Sequence, residues 1–279
     1  MMNSGQVAND VAARLMQIGG VRAVVLGGSW ARGAGDANSD IDLGIYYDPT
    51  TPLDIAGLRA LAAELDDSHS GDAVTEIGGW GPWINGGAWL TVSGQRVDWI
   101  YRDLALVRQI IEACVAGNPK IYYQAGHPHG FHTHIYLAEV ALCQPLHDPY
   151  GEVAALKVLA IPYPSALKHA LIGTLWEAGF ALDTSRKSTA RGDVFHVAGG
   201  LFRCAAVLAQ VLFALNERYW MNEKGSIQAI STLPLRPQDW EARVTRVLSH
   251  PGNTAEALTA SLAAFDALVA EVRVLCEER

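Results

Sequence analysis

The sequence predicts an α/β (α+β) N-terminal half followed by an all-α half, and three observations carry that reading. Up to about residue 103, short apolar runs rich in Val, Ile, Tyr and Trp alternate with helical stretches and are punctuated by glycine pairs. At Gly117-Asn118-Pro119 the strand pattern stops. From about residue 130 onward the pattern is helical. Two domains follow, residues 1–118 and residues 119–279, drawn from a chain of which 50% is hydrophobic and which can therefore bury a sizeable core.

Taken in order, residues 4–18 place Val7, Val11, Leu15 and Ile18 at helical spacing and stop at Gly19-Gly20. The β-branched run 21–26 is a strand ending in Gly27-Gly28-Ser29, and a small-residue loop leads to a second strand through residues 40–47. A helix is expected over 53–65, then strands at 73–77 and 88–92. Ser93-Gly94 is a tight-turn dipeptide, so residues 96–101 return as the other arm of a hairpin. Helices follow at 104–116, 131–143, 150–160, 165–181, 194–220, 237–249 and 254–277, the last with Asn253 and Glu256 as a capping-box start.

The second strand carries Asp40 and Asp42 with only Ile41 between them. Residues two apart on a strand share a face, so both carboxylates look the same way while Ile41, Leu43 and Ile45 turn to the core. Two such acids repel unless a cation joins them, and a hard divalent ion bound by oxygens meets that need. The Gly27-Gly28-Ser29 turn lets backbone approach a triphosphate, whose oxygens the amides and the Ser29 hydroxyl can meet; Arg32 can add a charge-assisted contact. A third acid, Asp98, lies between Val97 and Trp99 on the last strand, with Glu76 on the preceding predicted strand as its competitor.

Gly28-Ser29, a ten-residue gap and Asp40-Ile41-Asp42 together resemble the signature of the nucleotidyltransferase superfamily that includes DNA polymerase beta. The resemblance covers about residues 21–101. It implies a nucleotidyltransferase domain with a mixed sheet, followed here by a helical-bundle domain as in aminoglycoside and lincosamide nucleotidyltransferases. It also implies catalysis by Asp40, Asp42 and Asp98 around Mg²⁺, with two ions expected, and nucleotide binding by Gly28, Ser29 and Arg32. Lys224, after the long helical stretch from Asp193, is similar in position to a lysine of those enzymes that reaches the triphosphate; Tyr219 is a weaker match for base or acceptor. The implied reaction moves AMP from ATP, or another nucleoside monophosphate, onto a hydroxyl of a small acceptor and releases pyrophosphate. The alternatives are transfer to a protein or a tRNA end, and a nucleotide-binding regulatory module without turnover.

Composition narrows these. Residues 1–103 hold 13 Asp and Glu against 6 Lys and Arg, while residues 104–279 hold 16 against 15. No basic run is present, which argues against a long nucleic-acid partner and favours a small, cationic acceptor. The apolar stretch 201–215 includes Arg203 and Gln210 and is too short to span a bilayer, and the first twenty residues lack the pattern of a secretory signal, so no membrane partner and a cytoplasmic location are expected. The four scattered cysteines read as buried free thiols. The glycine-rich segment 78–87 with Trp80 and Trp83 reads equally as an acceptor pocket lining or as a loop pinned by half-buried indoles, and His127, His129, His132 and His134 read as loop histidines, exposed or hydrogen-bonded. The helical half offers a surface for a homodimer.

Overall fold

The computed structural model describes residues 3–33, 35–36 and 39–278. Two compact units emerge: one takes the chain to Val115 together with Lys120–Gly126 and Gly130–Pro162, the other takes Ala116–Pro119, His127–His129 and the chain from Tyr163 onward. The boundary expected after residue 118 is thereby moved. Its cause is a short late strand that the sheet of the first unit recruits from beyond that point.

In the first unit, helix α1 (Ser4–Leu15) opens with a capping box in which Asn3 and Gln6 satisfy each other's backbone amides, and it buries Val7, Val11 and Leu15. Strand β1 (Val21–Leu26) leads through the one-turn helix α2 (Gly28–Ala31) to β2 (Ile41–Tyr47), and α3 (Ile55–Leu65) follows. The hairpin of β3 (Gly87–Val92) and β4 (Gln95–Asp103) turns at Ser93 and Gly94, whose φ values of 52° and 79° suit the right-handed twist of the flanking strands. Asp67 accepts both turn amides at 2.9 and 2.8 Å. Helix α4 (Leu104–Val115), the two-residue strands β5 (Ile121–Tyr122) and β6 (Phe131–His132), α5 (His134–Leu142), β7 (Gln144–His147) and α6 (Glu152–Ala160) complete the unit.

The main sheet runs β3-β4-β2-β1-β7. It is mixed, since β2 and β4 are parallel and the other pairs antiparallel. One face buries Ile41, Leu43, Ile45, Val97, Trp99 and Tyr101 in a core with α1 and α3. The opposite face is closed at the far end of β2 and β4, where Tyr46 and Arg102 are buried and Arg102 makes a bidentate pair with Glu139 of α5 at 2.8 and 2.7 Å. β7 pairs with β1 as an edge strand, a position that tolerates Pro145 and its missing donor. Residues 73–77 form no strand; Val74 is buried, but the backbone there turns to meet the loop before β3.

In the second unit, α7 (Ser165–Ile172), α8 (Leu175–Thr189), α9 (Val194–Leu215), α10 (Ser226–Ile230), α11 (Trp240–Ser249) and α12 (Ala255–Glu277) pack around α9. The single helix expected over 165–181 is two, broken at Gly173-Thr174, and the stretch expected to run to residue 220 stops at Leu215 because Asn216 exchanges hydrogen bonds with the backbone of Leu235. Thr254, not Asn253, caps α12. α9 is long and apolar enough to cross a membrane, yet most of it is buried in this unit's own core. Cys114, Cys143 and Cys204 are buried free thiols and Cys276 is half-buried; burial pushes the first two up to about 11.

The histidines separate. His129 is buried against Arg203, which meets its Nδ1 at 2.8 Å, and His134 is buried at the start of α5. Burial lowers the His134 pKa from 6.5 to about 4. The unfolded chain then binds a proton over that interval that the folded chain does not, so stability at neutral pH is lost as pH falls from 6.5 toward 4, by at most about 1.4 kcal/mol per pH unit. Denaturant unfolding as a function of pH should show this loss, and His134→Leu should flatten it over the same interval.

Candidate active site

The open end of the second sheet face collects most of the predicted residues. β2 and β4 pair in parallel with Asp42 beside Asp98, so the two carboxylates stand side by side on one face, both half-buried. Asp40 lies one residue before β2, two positions from Asp42, and its carboxylate is ion-paired with Arg96, which is two positions before Asp98 on β4. Glu76, the competing third acid, is off the sheet and paired with Arg59 at 2.7 Å, its side chain mostly exposed. The structure therefore brings Asp98, not Glu76, beside the Asp-x-Asp pair.

The glycine turn closes on the same place. The Gly27 amide donates to the Asp42 carbonyl at 2.8 Å, extending the β1–β2 ladder by one bond, and Gly28 then takes a left-handed φ of 59°. A Cβ at Gly28 would sit 1.8 Å from Asp42 Oδ2. The turn thus lies directly against the carboxylate, with space that only hydrogen leaves. Ser29 is half-buried in the first turn of α2, and the exposed Arg32 folds back to donate from Nε to the Gly28 carbonyl at 3.2 Å. Trp30 donates to the Ser39 carbonyl at 3.3 Å, and Ser39 bonds Asp36, which fixes the approach to Asp40.

This donor set, three carboxylates beside a backbone turn, has the hard-oxygen chemistry of a Mg²⁺ site that leaves positions for phosphate. Among the described residues no three acid, histidine or cysteine side chains have converged into a ready cluster, and Asp40 is engaged by Arg96 instead. Lys224 belongs to the second unit, exposed in the turn before α10, where its amide donates to Asn222 Oδ1 at 3.0 Å. Tyr219 lies in that unit too, its ring 4.7 Å from Tyr163.

The two tryptophans of the glycine-rich loop pack in different places. Trp83 is an anchor: it stacks on Tyr122 and Phe131, donates its amide to Gln124 and accepts from the Tyr136 hydroxyl at 2.7 Å. Trp80 stacks on Trp89, ring centroids 4.7 Å apart, and Trp89 pairs across the hairpin with Asp98. The sequence reading passed over Trp89 and Arg96. The turn at Ser93-Gly94 contained the signal, since counting outward from it sets residue 89 opposite 98 and 91 opposite 96.

Residues 9–76 match the family model described as the nucleotidyltransferase domain. Among solved structures, a nucleotidyltransferase-like protein from Exiguobacterium sibiricum 255-15 is similar at 9% identity and a TM-score of 0.43, over 90% of this chain and 69% of that one. No curated protein matches the sequence.

Gly28→Ala combines a left-handed backbone with a Cβ inside contact distance of Asp42. It should destabilise the first unit by about 1–3 kcal/mol and displace the Asp42 carboxylate. Urea unfolding and a crystal structure of the variant would check both.

Proposed function

We propose that this chain, a member of the nucleotidyltransferase superfamily through the domain at residues 9–76, transfers a nucleoside monophosphate to a hydroxyl of a small acceptor and releases pyrophosphate. The preferred donor is ATP and the acceptor class is aminoglycoside- or lincosamide-like. One observation carries the reading: the parallel register that sets Asp98 beside Asp42 on the face where Gly28 abuts the same carboxylate.

Asp40, Asp42 and Asp98 would hold divalent metal, two Mg²⁺ ions by preference. When bound, the metal supplies charge neutralisation at the attacking and leaving oxygens. The Gly28 backbone and the Ser29 hydroxyl hold the β and γ phosphates, with Arg32 released from the Gly28 carbonyl to join them. Asp98 takes the proton of the acceptor hydroxyl as its oxygen bonds the α-phosphorus and the bond to the bridging oxygen breaks, the electron pair leaving with pyrophosphate. Lys224 contributes to nucleotide binding, an assignment that rests on the resemblance of its surroundings to antibiotic-modifying members of the family. Much of the rate enhancement then comes from positioning and charge placed in advance.

Asp42→Asn should lower pyrophosphate release across a panel of acceptors by at least about a hundredfold with the unfolding midpoint little changed. A wild-type rate in that variant rules the assignment out. Tight Mg²⁺-dependent ATP binding by the wild-type chain, with no pyrophosphate from any acceptor, would instead support a silent nucleotide-binding module. Lys224→Ala should weaken ATP binding about tenfold in calorimetry; an unchanged affinity removes Lys224 from the site.

A further inference from the structure

We infer that Trp89 and Trp80 form a preorganised aromatic platform that receives the ring of the acceptor. The inference rests on the transferase reading above and assigns two acceptor-binding residues to it.

Large apolar side chains on a sheet face normally go to the core, yet Trp89 is 66% exposed. Its neighbours on β3, Ala88 and Leu90, are buried on the opposite face, so the strand register presents the indole on the carboxylate face. The residue directly across from it is Asp98. Trp80 completes the platform, with its ring at 19° to that of Trp89. Gly87, two positions before Trp89, lies against the neighbouring strand, where a Cβ would come 1.7 Å from the Trp99 carbonyl oxygen and 3.1 Å from the Trp80 ring.

The platform is held from behind. The Trp80 carbonyl accepts from Gln124 Nε2 at 2.6 Å, and Gln124, itself buried, also takes the amide of Trp83. Asn85 donates to the Tyr47 hydroxyl at 2.9 Å, which ties the end of the loop to β2. Ordering this surface therefore costs little when a ligand arrives, because the loop is already fixed.

What it would bind follows from the chemistry of the two groups. An indole face offers a flat, electron-rich surface that attracts cations and the C–H face of a ring. Asp98, across the hairpin, needs a hydroxyl on whatever rests there if it is to take a proton. The acids of this face and the acidic balance of residues 1–103 favour a ring that carries an amine.

The test uses the full chain labelled with ¹⁵N-tryptophan, the Trp80 and Trp89 indole signals being assigned by Trp80→Phe and Trp89→Phe. D-Glucosamine should shift both signals, methyl α-D-glucopyranoside should bind more weakly, and Trp89→Ala should weaken glucosamine binding about tenfold. Mg²⁺-dependent ATP affinity should be unchanged in Trp89→Ala, whose side chain is mostly exposed and whose loss should leave the fold intact. Absence of a glucosamine shift overturns the platform, equal binding of the neutral glycoside overturns the cationic preference, and weakened ATP binding in Trp89→Ala gives the platform to the nucleotide base. Failure of the transferase reading is read separately, from pyrophosphate release and its response to Asp42→Asn.

Discussion

The parallel pairing of β2 and β4 is the constraint on which the candidate site depends. A shift of one residue would send Asp98 into the core and bring Val97 out, and the pleat admits no intermediate arrangement. The register is set away from the acids. Ile41 with Val97, Leu43 with Trp99 and Ile45 with Tyr101 are buried on the opposite face, and each pair is a register pair. At the closed end, burial acts to lower the Arg102 pKa, but the charge and hydrogen bonds of Glu139 more than offset it and the guanidinium stays ionised. Leaving either partner alone there would strand a buried charge. The acids are thus aligned by hydrophobic packing and one buried ion pair, none of which touches the open end.

The sheet face is consequently divided along its strands. One end is sealed by α5; the other is left to carboxylates, a glycine turn and the exposed indole of Trp89. Gly28 and Gly87 serve similar ends by different routes. The first lets the backbone lie against the Asp42 carboxylate, and the second lets β3 lie against the Trp99 carbonyl of β4. The glycine-rich loop is divided in the same manner, with Trp83 anchored among Tyr122, Phe131 and Tyr136 and Trp80 stacked on Trp89.

The Asp-x-Asp strand, the turn before it and the β3–β4 hairpin were legible because each has a strong local signal: period-two alternation, paired glycines and a turn dipeptide that requires positive φ. Asp98 was legible for the same reason, as one acid in an apolar strand. What escaped reading depends on contacts distant in sequence. Residues 73–77 have strand-like composition but bond the start of β3 at Thr75 without forming a ladder, and Glu76 is drawn to Arg59. Gln144-Pro145-Leu146-His147 has only four residues and a proline, so its partnership with β1 has no local trace. Asn216 has no local mark of its role, since it bridges to the backbone of Leu235, nineteen positions on. Arg96 was invisible as a neighbour of Asp40 until the register of two strands was known.

The late strand bears on how the first unit can be isolated. A fragment ending near residue 118 would strip β7 from the sheet and leave the backbone of Val24, Val25 and Leu26 as a bare apolar edge, the kind of surface on which separate chains aggregate. It would also remove Glu139 from Arg102 and Glu152 from Arg22, leaving two guanidinium groups without their carboxylates. A fragment carried through Pro162 keeps the edge covered and both charges matched, and is the shorter piece that can be expected to stand alone.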